Sequence, residues 1–141
     1  MFERILVCLD GSSLAEQILP YATEAAQRFN SKLILLQVIP PSSVSVGTET
    51  ASEIIGPAKA YLEHVAQPLR EKGLDVECVT LFDTPGKAII TYADKNEVEL
   101  IAIATHGRSG LGRVLFGSVA DFVLKESRVP ILIIRPQHAK G

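Results

Sequence analysis

Five short stretches, Ile5–Leu9, Leu33–Ile39, Val76–Leu81, Leu100–Ala104 and Ile131–Ile134, are runs in which Ile, Val and Leu follow one another almost without a break. A strand with one wet face alternates apolar and polar residues, whereas a strand buried on both faces does not. The runs therefore predict the strands of a parallel sheet covered on both sides. No other feature of the sequence narrows the fold as much.

Helical patterns fill the intervals. Leu14, Ile18, Leu19, Ala22, Ala25, Ala26 and Phe29 recur at helical spacing. Ser13 with Glu16 has the form of a capping box, and Pro20 is expected to kink this helix or strain its first turns. A second face is formed by Ile54, Ile55, Ala58, Leu62, Val65 and Leu69, with Pro57 expected at a start or restart and Gly73 at the stop. Thr84-Pro85 open a third helix that should bury Ala88, Ile89 and Tyr92. The fourth begins near Ser118, with Asp121 three residues on as a second cap signature, and ends on the cations Lys125 and Arg128. The order βαβαβαβαβ predicts a three-layer, doubly wound α/β fold with right-handed crossovers. With 141 residues, one domain over 1–141 is expected. Pro41 to Thr50 is the one long polar connection.

Composition removes several function classes. A net charge of -2 argues against a nucleic-acid-binding surface, which needs an excess of positive charge. Cys8 and Cys78 stand inside apolar runs with no CxxC or zinc spacing, as two buried thiols in a reducing compartment would. The N-terminal MFERILVCLD carries an early acid and an apolar run too short for a secretion signal. No run approaches the roughly 18 residues of a membrane helix. The expectation is a cytoplasmic protein with neither a membrane nor a nucleic acid as partner.

In an open α/β sheet, ligands bind beyond the carboxyl ends of the strands. The richest segment there is ATHGRSGLGRVLFGS, from Ala104 to Ser118, with four glycines, two arginines and no acid. Gly117-Ser118 stands where a helix begins, and its free amides and dipole suit an anion. A phosphate there would accept from the Gly117, Ser118 and Val119 amides and the Ser118 hydroxyl, with Arg108 or Arg113 adding charge. The competing reading is a glycine-rich turn in which Ser118 only caps its helix. Asp10, at the end of the first strand, would accept bonds from a ribose or an adenine amine, or would help Ser12 and Ser13 cap the first helix. His106 is a lone loop histidine. The glycines read G-x-x-G-x-G, the wrong order for a dinucleotide fold, and Gly86-Lys87 lacks the context of a Walker A loop. Asp83, Thr105 and Arg135-Pro136 echo a response-regulator receiver, but the acidic pair after the first strand is missing and arginine replaces the lysine. No catalytic residue is assigned, because no triad, metal cluster or carboxylate pair is evident, so any turnover should be slow.

The segments ILVCLDGSSLAEQILPYA, LILLQVIP and IAIATHGRSGLGRVLFGSVADFVLKESRVPILIIRP together resemble the universal stress protein domain over essentially the whole chain. The resemblance implies a five-stranded parallel sheet in the order 3-2-1-4-5. It also implies an adenine nucleotide, ATP or AMP with or without Mg2+, held by the pattern Gly-x2-Gly-x9-Gly-Ser/Thr. Gly107 and Gly117-Ser118 match this pattern, whereas its first glycine falls on Ala104. By this likeness Asp10 meets the adenine or ribose, and Val38 frames the base with Cys8 and Leu9. Ala104 lies near the ribose, and Gly107, Arg108, Gly117, Ser118 and Val119 hold phosphates. The family further implies a stress-response regulator that dimerises through its last strand, Ile131, Leu132, Ile133 and Ile134. A slow ATPase or phosphotransfer enzyme, and a dimeric scaffold with a vestigial site, are the alternatives.

Overall fold

The computed structural model describes residues 1–43, 50–105 and 117–137. The apolar runs form β1 (Arg4–Leu9), β2 (Lys32–Ile39), β3 (Asp75–Phe82), β4 (Leu100–Ala104) and β5 (Ile131–Ile134). They pair in parallel in the order β3-β2-β1-β4-β5. Helices α1 (Leu19–Phe29) and α2 (Ala51–Glu71) cover one face, while α3 (Pro85–Lys95) and α4 (Ser118–Glu126) cover the other.

Strand alternation sorts the core into two halves. Ile5, Val7, Leu33 and Leu35 face α1 and α2, where Ile18, Ala22, Leu62 and Leu69 meet them. Leu6, Cys8, Ile34 and Leu36 face α3 and α4, against Ile89, Ala93, Ala120 and Val123. Both strand faces are thus dry, which is why the sequence shows continuous rather than alternating apolar runs.

Several local expectations are corrected. Pro20 does not kink a helix. A 3₁₀ turn (Ala15–Ile18) precedes α1, and the proline sits in the first turn of α1. The Leu19 amide already occupies the Glu16 carbonyl that an amide at position 20 would seek. The capping box of Ser13 with Glu16 is replaced by Ser12, whose hydroxyl accepts from the Ala15 amide at 3.1 Å. Glu16 instead accepts from the Tyr61 hydroxyl at 2.6 Å. Pro57 does not start α2. Thr50 caps that helix by accepting from the Glu53 amide, and Pro57 and Pro68 both lie inside it. Each proline is exposed, so the carbonyl it deprives of a donor faces water. Gly73 ends α2 as expected, at φ +87°, with Gly73 donating to the Arg70 carbonyl and Leu74 to that of Leu69. α4 stops at Glu126, short of Arg128.

Candidate functional site

The sheet reverses direction of growth between β1 and β4. From β1 the chain builds outward to β2 and β3, then returns to lay β4 on the opposite side of β1. Pairing of β1 with β4 ends at Val7 opposite Ala102. On the outer sides it runs further, to Leu9 opposite Gln37 and to Ala104 opposite Ile134. The last two residues of β1 and β4 therefore splay apart and open a crevice at the switch point.

A cavity of about 550 Å³ occupies that crevice. Its walls include Cys8, Leu9 and Asp10 from β1 and its loop, Val38 from β2, Ala104 from β4, and Gly117, Ser118 and Val119 at the start of α4. Eight of the ten residues singled out from the sequence are thus brought together. The other two, Gly107 and Arg108, lie outside the described residues, as do His106 and Arg113.

The two polar ends of the cavity are built differently. At one end, Asp10 Oδ1 accepts from the Ser12 amide at 2.9 Å and from the Ser12 hydroxyl at 2.6 Å. The turn passes through Gly11 at φ +88°, a conformation that favours glycine. Asp10 therefore does serve the start of the first helix, through Ser12, while lining the cavity.

At the other end, Gly117 rather than Ser118 is the N-cap of α4, with Ser118 as the first helical residue. This overturns the reading in which Ser118 caps. The Gly117 amide is also not free for a phosphate, because it donates to the carbonyl of Thr105. The first bond of the helical ladder runs from Asp121 to Gly117, so the Ser118, Val119 and Ala120 amides precede it and carry the positive end of the dipole. What Gly117 contributes is the lack of a side chain at the cavity wall.

The lining is completed by residues the sequence did not assign to a site, among them the apolar Pro85 and Ile89 of α3 and Ile103, and the polar Gln37. Gln37 is the one polar residue inside the second apolar run, which was its only signal. Cys8 is buried, and burial pushes its thiol up to about 12. It is neutral lining, not a nucleophile. Ala104 is 6% exposed in an extended strand, so its methyl group fits without backbone strain.

The receiver constellation does not assemble. β3 is an edge strand, so Asp83 stands two strands away from Asp10, and its Oδ1 accepts from the Thr84 amide. Among the described residues, no group of three His, Cys, Asp or Glu side chains is placed to hold a metal ion. Among the same residues, no helix is long and apolar enough to cross a membrane.

A doubly wound parallel sheet with its cavity at the switch point, an aspartate loop at one end and a helix N-terminus at the other places the chain among the open-sheet α/β proteins. The model of the universal stress protein family matches residues 1–135, and the chain belongs to that family. It is 27% identical to universal stress protein MJ0531 of Methanocaldococcus jannaschii, with 96% of this chain and 83% of that protein aligned. It is 28% identical to universal stress protein YxiE of Bacillus subtilis, over 96% of this chain and all of that one. Among solved structures, protein MJ0577 superposes with a TM-score of 0.90 at 27% identity, covering 99% of each chain. A universal stress protein solved with cAMP shares the fold at a TM-score of 0.74 and 23% identity, over 96% of this chain and 98% of that one. Another, from Archaeoglobus fulgidus and solved with dAMP, does so at 0.72 and 24%, over 96% of this chain and all of that one.

Proposed function

We propose that this chain is an adenine-nucleotide-binding regulator, taking ATP or AMP in the switch-point cavity. The observation that carries the reading is the pairing of opposite polarities across one cavity. Asp10 offers a carboxylate to hydroxyl or amine donors, and the first turn of α4 offers amides to phosphate oxygens. Apolar Leu9, Val38 and Ile103 lie between them and suit a flat base. That two universal stress proteins of this fold were solved with cAMP and dAMP supports the choice of an adenine nucleotide. Val38, Cys8 and Leu9 frame the base in this reading. Ala104 sits near the ribose, and Ser118 and Val119 meet the phosphates together with Gly107 and Arg108.

The same reading has the protein act as a cytoplasmic homodimer. Among the described residues β5 is an edge strand that pairs with β4, and its Ile131, Leu132, Ile133 and Ile134 are each partly buried. An apolar edge of this kind calls for cover.

Isothermal titration with ATP, AMP, cAMP and GTP, with and without Mg2+, tests the ligand. Saturable binding of the adenine nucleotides is expected, and no binding of any of them up to millimolar concentration overturns the reading. Sedimentation tests the dimer, and a monomer at all concentrations overturns that part alone.

A further inference from the structure

Thr105 directly follows β4 and lines the cavity, yet no role for it follows from the glycine pattern. Its backbone is fully committed. The amide donates to the Ile134 carbonyl of β5 at 3.0 Å, and the carbonyl accepts from the Gly117 amide at the N-cap of α4. The residue is 5% exposed, and its buried Oγ1 has no hydrogen-bond partner among the described residues.

Strand alternation tells where that hydroxyl sits. Ile103, two residues earlier, belongs to the core half under α3 and α4, so Thr105 projects to the same side. That is the side on which α4 presents its first-turn amides. The bond from Gly117 to the Thr105 carbonyl holds the two within one hydrogen bond of each other.

A buried hydroxyl without a partner costs stability, and of the two such threonine hydroxyls among the described residues, Thr80 and Thr105, only that of Thr105 belongs to the cavity lining. Valine would fill the same space without that cost. Because Oγ1 makes no hydrogen bond among the described residues, a change of χ1 rotamer re-aims it with no such bond to break. We infer that Thr105 is a ligand-binding residue whose hydroxyl donates to a phosphate oxygen seated at the N-terminus of α4. The assignment rests on the nucleotide reading above and adds one residue to it. It also makes Thr105 the joint between the phosphate end of the cavity and edge strand β5.

The test compares the wild type with Thr105→Val and Thr105→Ser. Without ligand, T105V should melt higher than the wild type by about 2–5 °C, because the partnerless hydroxyl is gone. Its affinity for AMP should fall roughly tenfold. Adenosine, which lacks the phosphate, should bind all three proteins alike, and T105S should keep the wild-type affinity for AMP. A lowered melting temperature for T105V would make the hydroxyl structural and overturn the assignment. Unchanged AMP affinity in T105V, with the wild type binding, overturns the assignment and leaves the nucleotide reading standing. A wild type that binds no adenine nucleotide overturns both.

Discussion

Gly117 donates its backbone N–H to the carbonyl oxygen of Thr105. The bond joins the end of β4 to the first residue before α4 and fixes the angle at which that helix enters the cavity. It also changes what the glycine does. An amide spent on Thr105 is not available to a phosphate, so the amides left free of the helical ladder begin one residue on, at Ser118, Val119 and Ala120.

Gly117 has φ -65° and ψ 158°, which any residue adopts without strain. Gly117→Val should therefore leave stability within about 1 kcal/mol of the wild type. The added side chain stands at the cavity wall, so AMP affinity should fall about tenfold or more. Urea unfolding and calorimetric titration of the same preparation separate the two effects. A variant that binds normally would show that the wall at position 117 is not in contact with ligand.

Gly11 presents the opposite case. A Cβ there would meet nothing nearer than Gln37 Nε2 at 3.7 Å, so space is not the constraint, but φ is +88°. Gly11→Ala should cost about 1–2 kcal/mol through backbone strain alone. The strain falls on the Asp10–Ser12 turn, so affinity for adenosine should weaken as well. Equal stability of G11A and the wild type in urea would show that the turn relaxes freely.

The sheet was legible because burial on both faces leaves a simple mark, the unbroken runs of Ile, Val and Leu such as Ile34–Leu36. Pro20 and Pro57 were misread because the cost of a proline depends on where the orphaned carbonyl points. Pro57 and Pro68 face water, and Pro20 follows a 3₁₀ turn that has already used its carbonyl, so none breaks a helix. Asp10 was legible as an acid at a strand end, and Val38 only through the family resemblance; both line the cavity. The site was not legible for Gln37, and Thr105 was read only as part of a receiver echo; their buried polar atoms make no hydrogen bond among the described residues, and a sequence carries no record of that.

Gly86, in the first turn of α3, packs against Phe122 of α4. A Cβ at position 86 would fall 2.8 Å from Phe122 Cδ1 and 3.2 Å from its Cβ. The ring can swing outward, since Phe122 is 41% exposed, but its Cβ cannot move unless α4 does. Gly86→Ala should thus destabilise by about 1–3 kcal/mol, less the helix-propensity gain of alanine. Phe122→Ala should restore much of that loss in the double variant, giving a coupling of about 1 kcal/mol in a double-mutant cycle. Strictly additive effects would mean that the two helices do not touch through this pair.

Alkaline pH should undo the fold through groups that burial keeps protonated. The Cys8 thiol is pushed up to about 12 and that of Cys78 to about 11, from an ordinary value of 9.0, both chiefly by burial. Tyr61 is raised as well, by burial and by its bond to Glu16. Above pH 9 the unfolded chain sheds thiol protons that the folded chain keeps, so the unfolded state gains. The contribution is complete below pH 9 and is lost as pH climbs toward 12, at up to about 1.4 kcal/mol per pH unit from Cys8. Urea midpoints at pH 8, 9.5 and 10.5 should fall steeply in the wild type. In Cys8→Ala they should start lower, because a methyl-sized void replaces sulfur, and then fall less steeply. Parallel slopes for the two proteins would show that the Cys8 thiol does not titrate with unfolding and that the alkaline loss belongs to Tyr61 and Cys78.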